Sequence, residues 1–344
     1  MRKVFPLVIA VAIIMMIVTI GRSIIFHGHI PFESKNNNAL VFNQDETTVA
    51  TAVQGEGVYL WATAGDKPPV RLQESDLAVP LCFQPDGKTL LAAQNGKLVH
   101  WLPNGAKMTL GQHSTNRPKR DTVLSAAYSL DGDTLAILNG DRTHALEVVS
   151  HYDTMTIMEL PNVEMFCWCQ QDVIAVGYNS RVELWSVNGK SKLKEYNITG
   201  TKEDDKGHTR ISGLCYAKEQ QDLLVCNNRG DLFLFGTSHD ERSEQDVPDR
   251  AYTNIGPIAY GSLRTWGTMP LHIGALTGKE VKAWRFYGGK LEPLATTKEP
   301  LQTEHEHYST LSPSAKWTTI HRRSDKVGHV HWLKPVAIVA PKKN

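Results

Sequence analysis

The sequence lacks a charge imbalance of either sign. Its 344 residues include 37 lysines and arginines against 36 aspartates and glutamates, a net charge of +1 at pH 7. Because a field of one sign is what draws a protein to nucleic acid or to an anionic membrane surface, we expect no nucleic-acid partner. With 41% apolar and 21% charged residues, the composition fits neither a disordered chain nor a membrane-embedded bundle. A mostly soluble body with a large core is expected.

Signatures of catalysis are absent as well. The sequence contains no nucleophile elbow, no glycine-rich phosphate loop and no zinc-binding pattern in a suitable context. Three His-x-His pairs each place two imidazoles on one face of a strand: His27 with His29, His305 with His307, and His329 with His331. These pairs are not expected to converge, and we interpret them as surface or partly buried residues. We therefore predict no catalytic residue, no cofactor and no metal ligand.

Long hydrophobic runs are missing except at the N-terminus, where Val4–Ile20 is uncharged. As a helix this stretch spans roughly 25 Å, which reaches across the ~30 Å hydrocarbon layer if flanking residues snorkel. We predict one uncleaved N-terminal transmembrane helix, with an anchor at 1–21 and a linker at 22–36. The alternative is a signal peptide cleaved after Gly21, where the usual small-residue pattern is missing.

A repeated pattern fills residues 37–344. Each copy has a small residue and an aromatic, a short turn, an apolar run, a second turn and a strand that ends in Trp or another apolar residue. In the second copy, Cys82-Phe83 leads through Pro85-Asp86-Gly87 to Trp101. The steps between the ends of the copies are 40, 48, 36, 50, 49 and 48 residues, which is typical of four-stranded blades. The copies end at Trp61, Trp101, Val149, Trp185, Phe235, Trp284 and Trp332.

Turn residues divide each copy into strands. Asp-Gly or Asn-Gly pairs occur at 86–87, 95–96 and 131–132, and such pairs are typical of tight hairpin turns because those turns need positive φ. The copies therefore predict seven antiparallel sheets. Their first strands carry a column of small residues: Val41, Cys82, Ala127, Cys167, Cys215, Ala259 and Thr310.

This repeat resembles that of the WD-repeat β-propeller family over residues 37–340. Five copies keep the terminal Trp, and Gly207-His208 ahead of the fifth copy matches the Gly-His dipeptide of the family. No copy follows its Trp with Asp, so the match is to the architecture. The resemblance implies an all-β, seven-bladed β-propeller, here preceded by one N-terminal transmembrane helix.

The five cysteines are interpreted as small core residues. Cys82, Cys167 and Cys215 fall in the column of small residues on first strands, and Cys226 falls among small residues on a second strand. Cys167-Trp168-Cys169 lacks the spacing of a redox Cys-x-x-C motif, and we expect its two thiols on opposite faces of the strand. No disulfide or reactive thiol is predicted.

Three insertions are longer than the other turns: Gly111–Asp121, Thr199–His208 and Gly236–Arg250. In a WD-type blade, the loop after the outer strand and the loop between strands two and three lie on one face, and we assign all three insertions to that face. Loops carry function more often than strands do, so a protein-binding surface is predicted there, the alternative being solvated insertions. The candidate partner-binding residues are Arg117, Lys119, Arg120, Glu203, Asp204, Asp205, Asp240, Glu241 and Arg242.

The outer strand of the last blade decides on which side the anchor enters. Val336–Ala340 is apolar and correctly spaced after Trp332, so we favour it over Ser23–Pro31 for that strand, the alternative being that both pair and give a five-stranded blade. The anchor would then enter on the long-loop side.

The sequence predicts a membrane-tethered protein-interaction module, a subunit of a larger membrane complex. Arg2, Lys3 and the amino terminus outweigh Arg22 and Lys35, which favours a cytoplasmic N-terminus and a periplasmic or otherwise extracytoplasmic propeller. The alternative is an extracytoplasmic propeller enzyme, hydrolase- or lactonase-like, with its site at the channel mouth.

Overall fold

In the computed structural model, the elements of the described residues are all β-strands. No helix among the described residues is long and apolar enough to cross a membrane. The predicted anchor at 1–21 lies outside the described residues. The structure describes residues 29–30, 40–53, 57–63, 69–73, 78–94, 97–110, 123–140, 144–151, 155–198, 209–237, 250–252, 255, 263–266, 271–276, 281–287, 290–294, 306–313, 317–322 and 328–332.

The strands form seven four-stranded antiparallel sheets, and the first six are built from four consecutive strands each. The first sheet holds β2 (Leu40–Phe42), β3 (Thr48–Val53), β4 (Gly57–Ala62) and β5 (Val70–Gln73), and the second holds β6 (Ala78–Phe83), β7 (Leu90–Gln94), β8 (Lys97–Trp101) and β9 (Lys107–Thr109). The third holds β10 (Val123–Tyr128), β11 (Thr134–Asn139), β12 (Leu146–Ser150) and β13 (Thr156–Leu160), and the fourth holds β14 (Met165–Trp168), β15 (Val173–Gly177), β16 (Arg181–Ser186) and β17 (Ser191–Asn197). The fifth holds β18 (Ile211–Ala217), β19 (Asp222–Asn227), β20 (Leu232–Gly236) and β21 (Arg250–Tyr252), and the sixth holds β22 (Arg264–Trp266), β23 (Leu271–Leu276), β24 (Val281–Tyr287) and β25 (Lys290–Pro293). The seventh holds β26 (Glu306–Leu311), β27 (Trp317–Arg322), β28 (Gly328–Trp332) and, on its outer edge, β1 (His29–Ile30).

Neighbouring sheets bury their faces against each other. In the second strands, such as β11, nearly every residue is buried, because both faces of these sheets are covered. Separate apolar clusters fill the spaces between neighbours from the first sheet to the sixth. The first strands of these sheets lie beside one another in order. Sheets arranged in this way form a β-propeller, so the predicted all-β propeller fold is confirmed.

The register of the repeats agrees with the sequence pattern in most copies. The residues at which the copies were predicted to end lie on the third strand of each sheet. The predicted start of the sixth copy was wrong. Thr265 on β22 pairs with Ile273, and Ile273 pairs with Trp284, so the first strand lies several residues beyond Ala259. Ala259 itself lies outside the described residues.

The outer strand of the seventh sheet comes from the N-terminal side of the chain. His29 pairs with His329 and Ile30 pairs with Gly328 in antiparallel register. The prediction that Val336–Ala340 takes this position was wrong, because β1 already occupies the outer edge of β28 there. The segment 22–36, predicted as a linker, thus contains a strand. Residues 336–340 lie outside the described residues.

Candidate interaction surfaces at the two rims

Strand direction divides the connections between two edges of the propeller. Antiparallel neighbours alternate in direction, so the turns between first and second strands and between third and fourth strands lie at one edge, which we call the turn rim. The turns between second and third strands, and the connections from one sheet to the next, lie at the other edge, which we call the loop rim. The two rims are the exposed faces on which a partner could dock.

Two of the three predicted binding loops leave from the loop rim. The segment with Arg117, Lys119 and Arg120 joins β9, the fourth strand of its sheet, to β10, the first strand of the next. The segment with Glu203, Asp204 and Asp205 joins β17 to β18 in the same way. These six residues lie outside the described residues, and the ends of the flanking strands place their segments at one edge.

The stems of the acidic insertion at 199–208 are held to turns of the loop rim. On one side the Ile198 amide donates to the Ser180 carbonyl at 2.8 Å. On the other side the Arg210 amide donates to the Asn228 side-chain oxygen at 3.0 Å, and the Asn228 amide donates to the Arg210 carbonyl at 2.8 Å. Both ends of this insertion are therefore anchored to the second-to-third strand turns of two adjacent sheets.

The third insertion was assigned to the wrong edge. The segment with Asp240, Glu241 and Arg242 joins β20 to β21, which are the third and fourth strands of the fifth sheet. A connection between third and fourth strands starts and ends at the turn rim. These three residues lie outside the described residues, but their segment leaves the sheet opposite the other two insertions.

The strand turns of the turn rim are linked from sheet to sheet. Asn43 in the first sheet donates its side-chain amide to the Gly87 carbonyl of the second sheet at 3.0 Å. A Cβ at Gly132 in the third sheet would lie 3.4 Å from Cδ of Pro85, so these turns are in contact. Gln171 of the fourth sheet donates to the Asp131 carboxylate. Four consecutive turns are thus joined into one continuous edge.

The aspartates of these turns accept hydrogen bonds from residues of their own turns. The pKa of Asp45 is lowered by hydrogen bonds from the Thr47 hydroxyl, at 2.7 Å, and from the Thr47 amide, at 3.1 Å. Burial raises the pKa of Asp86, but amide hydrogen bonds from Thr89 and Lys88 outweigh it, so that this pKa is also lowered. Their role is to hold the turns as ionised caps. Among the described residues, no group of three or more His, Cys, Asp or Glu could hold a metal ion.

A polar cluster lies in the seam between the second and third sheets, near the turn rim. We call Gln84, His100, Tyr128 and His151 the histidine seam. His100 Nε2 is hydrogen-bonded to the Tyr128 hydroxyl, and His151 Nε2 lies 3.3 Å from the Gln84 side-chain nitrogen. The two imidazole rings are 5.0 Å apart between centroids, and the Tyr128 and His151 rings are 5.6 Å apart. This cluster joins two blades through polar side chains in an otherwise apolar seam.

The histidine seam favours neutral side chains. Burial, aided by the nearby His151, lowers the pKa of His100 to about 4, and Asp86 offsets this only in part. Burial also lowers the pKa of His151 and raises the pKa of Tyr128 well above its usual value. The seam is therefore uncharged near neutral pH, and its role is to hold two sheets together at the turn rim.

Acid is expected to destabilise the protein through this seam. His100 has a folded pKa of about 4 against an unfolded value of 6.5, so the unfolded state binds more protons as pH falls. The contribution of His100 to the free energy of unfolding is fully present above pH 6.5 and is lost as the pH falls towards 4. Between roughly pH 7.5 and pH 5 it amounts to about 2 kcal/mol of unfolding free energy. Denaturant unfolding at both pH values measures it.

The matched control for this prediction is the exposed His144 on the neighbouring third sheet. His100→Asn should flatten the acid loss relative to the unaltered chain, while His144→Asn should leave the loss unchanged. An equal acid loss in all three proteins would contradict the role of His100.

The cysteines pack in or against the apolar clusters between sheets, as predicted, and all five are free thiols, two of them buried and three half-buried. The expectation for Cys167 and Cys169 was wrong in one respect. Both pack in the cluster between the fourth and fifth sheets, because residues two apart on a strand share a face. A hydrogen bond between them, together with burial, raises the pKa of Cys167. Burial likewise raises the pKa of Cys82, Cys215 and Cys226, which keeps these thiols protonated and poorly nucleophilic.

Comparison with known proteins supports the fold. No family model and no curated protein matches the chain. Among solved structures, the chain is similar to the β-propeller domain of Cps50 (Swd1) of Myceliophteria thermophila, with a TM-score of 0.60 and 12% sequence identity. The match covers 86% of this chain and 96% of that one. A likeness at this identity concerns the architecture alone.

Proposed function

We propose that this chain is a membrane-tethered protein-interaction module of the WD-repeat type, a scaffold subunit of a larger membrane complex, and that it binds its partner through the loop rim. The observation that carries the proposal is the strand order, in which the strands that flank 111–121 and 199–208 meet the loop rim. The hydrogen bonds that hold Ile198 and Arg210 at the two ends of the second insertion support the proposal, because they fix where this segment leaves the rim.

The charges of the two insertions indicate the charge pattern of the partner surface. Arg117, Lys119 and Arg120 are basic, whereas Glu203, Asp204 and Asp205 are acidic. The two segments are separated by the third and fourth sheets, so the basic and the acidic segment leave the rim at different points. A protein surface with acidic and basic patches in the matching arrangement would be selected.

The tether completes this proposal. We assign residues 4–20 to a single membrane span with the N-terminus in the cytoplasm and the propeller on the extracytoplasmic side. We also propose that the seven sheets close into one ring, with β1 as the N-terminal strand of the last blade. The pairing of β1 with β28 supports the closed ring, because a propeller whose last blade contains strands from distant parts of the chain is closed at its seam.

The test uses the full chain, extracted from membranes in mild detergent, with two altered forms. One carries Arg117→Glu, Lys119→Glu and Arg120→Glu, and the other replaces 199–208 by a short Gly-Ser linker. We expect each to recover the co-purifying partner several-fold less well. Recovery from the unaltered chain should fall as salt rises, because exposed charge pairs are screened.

The matched control changes the insertion on the opposite rim. Asp240→Ala, Glu241→Ala and Arg242→Ala together should leave recovery unchanged. If this control loses the partner and the two loop-rim variants keep it, the partner binds the turn rim and the proposal is wrong.

A further inference from the structure

Exposed apolar side chains are distributed unequally between the two rims. Seven large hydrophobic residues are exposed among the described residues, and Leu124, near the loop rim, is one of them. The remaining six lie at the turn rim or on the half of a strand next to it. They are Val70, Met108, Leu130, Met155, Leu193 and Tyr287.

Three of the six belong to the turn rim itself. Leu130 is in the first-to-second strand turn of the third sheet and is 45% exposed. Met155 lies just before β13, in the third-to-fourth strand connection of that sheet, and is 66% exposed. Tyr287 is the last residue of β24 and is 65% exposed. Two sheets thus present large apolar groups at this edge.

The other three lie on outer strands, close to the same edge. Val70 is the first residue of β5, and outer strands begin at the turn rim. Met108 pairs with His100, the residue before the end of β8. Leu193 is the third residue of β17, which has seven. The apolar groups therefore continue from the turn rim onto the adjoining part of the circumference.

The direction of β1 bears on the path of the chain into the propeller. Because β1 is antiparallel to β28, and β28 as a third strand runs towards the turn rim, β1 runs towards the loop rim. Its two residues pair with the first two residues of β28, and the backbone at His29 points back towards the turn rim. Residues 21–28 separate β1 from the apolar stretch 4–20, and eight residues reach at most roughly 28 Å. With residues 4–20 in the membrane, this linker keeps the start of β1 close to the bilayer.

We propose that the turn rim rests on the lipid surface and that its exposed apolar side chains enter the interfacial layer. This rests on the proposed tether at 4–20. Exposed apolar groups gathered on one side are typical of membrane contact, and tyrosine is favoured at the interface. The loop rim then faces away from the membrane, where it is open to a protein partner.

The experiment measures the distance of each rim from lipid. The full chain is reconstituted in phosphatidylcholine vesicles that contain a nitroxide headgroup lipid, and a fluorophore is attached to Met155→Cys at the turn rim. Lys97→Cys, at an exposed residue of the loop rim, is the matched control. The native thiols have raised pKa values, and labelling of the unaltered chain measures their background. We expect quenching several-fold stronger at position 155 than at position 97.

A second variant tests the apolar contact and not only the orientation. Leu130→Asp in the 155-labelled chain should weaken its quenching. Equal quenching at 155 and 97, or stronger quenching at 97, in a chain that withstands carbonate washing overturns this inference and leaves the tether in place. A chain that carbonate removes from the vesicles overturns the tether and this inference with it.

Discussion

Tyr196→Ala is expected to lower the free energy of unfolding by about 4 kcal/mol, the cost typical of removing a fully buried aromatic ring. Tyr196 is 1% exposed on the outer strand of the fourth sheet. Its ring centroid lies 4.3 Å from that of Phe235 on the fifth sheet. Its hydroxyl donates to the Gly236 carbonyl at 3.1 Å. The substitution therefore removes both the packing and the hydrogen bond that join two blades at their outer edges.

Two further variants separate these effects, measured by denaturant unfolding. Tyr196→Phe removes only the hydrogen bond and should cost about 1 kcal/mol. Leu193→Ala changes a partly exposed residue on the same strand and should stay within about 0.5 kcal/mol of the unaltered chain. If Tyr196→Ala costs no more than Tyr196→Phe, the ring does not support the contact between these blades.

Asn227→Ala is the second large expected effect, about 3 kcal/mol of unfolding free energy. The side chain is fully buried at the end of β19. Its amide nitrogen donates to the Asp231 carboxylate at 2.9 Å, and its oxygen accepts from the amides of Arg229, at 3.0 Å, and Asp231, at 2.9 Å. Alanine leaves these groups without their partner in a turn of the loop rim.

This turn also supports the proposed binding surface. The next residue, Asn228, holds the stem of the 199–208 insertion through Arg210. Asn227→Ala should therefore reduce partner recovery as well as stability. Asn104→Ala is the matched control, because Asn104 accepts one exposed hydrogen bond, from the Ala106 amide at 3.0 Å, and should cost less than about 1 kcal/mol. Equal losses in the two variants would contradict the structural role of Asn227.

Much of the fold follows from local signals. The Asp86-Gly87 and Asp131-Gly132 pairs place a glycine of positive φ, +68° and +85°, in a turn at the same edge of successive sheets. The terminal tryptophans mark third strands, because a large apolar residue there packs against the preceding sheet, as Trp101, Trp185 and Trp284 do. The sixth copy failed because Ala259-Tyr260 has the local pattern of a first strand, whereas the backbone pairing selects the strand at 264–266.

The histidine seam could not be predicted from local sequence patterns. His100 was visible as a polar residue in the third-strand column that holds Leu60 and Leu184. Nothing in the sequence joined it to Tyr128 and His151, which belong to the next repeat. Their contact depends on how two sheets face each other, and this follows from the three-dimensional arrangement.

The sequence alone determined the all-β propeller, the strand pattern of most repeats and the burial of the cysteines, because period, turn chemistry and residue size act over a few residues. The tertiary structure decided the rest. Because the connection at 237–249 joins a third strand to a fourth, it starts and ends at the turn rim, although it is long and rich in charged residues like the other two insertions. Pairing at the outer edge of β28 selected His29–Ile30 instead of Val336–Ala340, because hydrogen bonding between distant segments depends on where the chain ends meet.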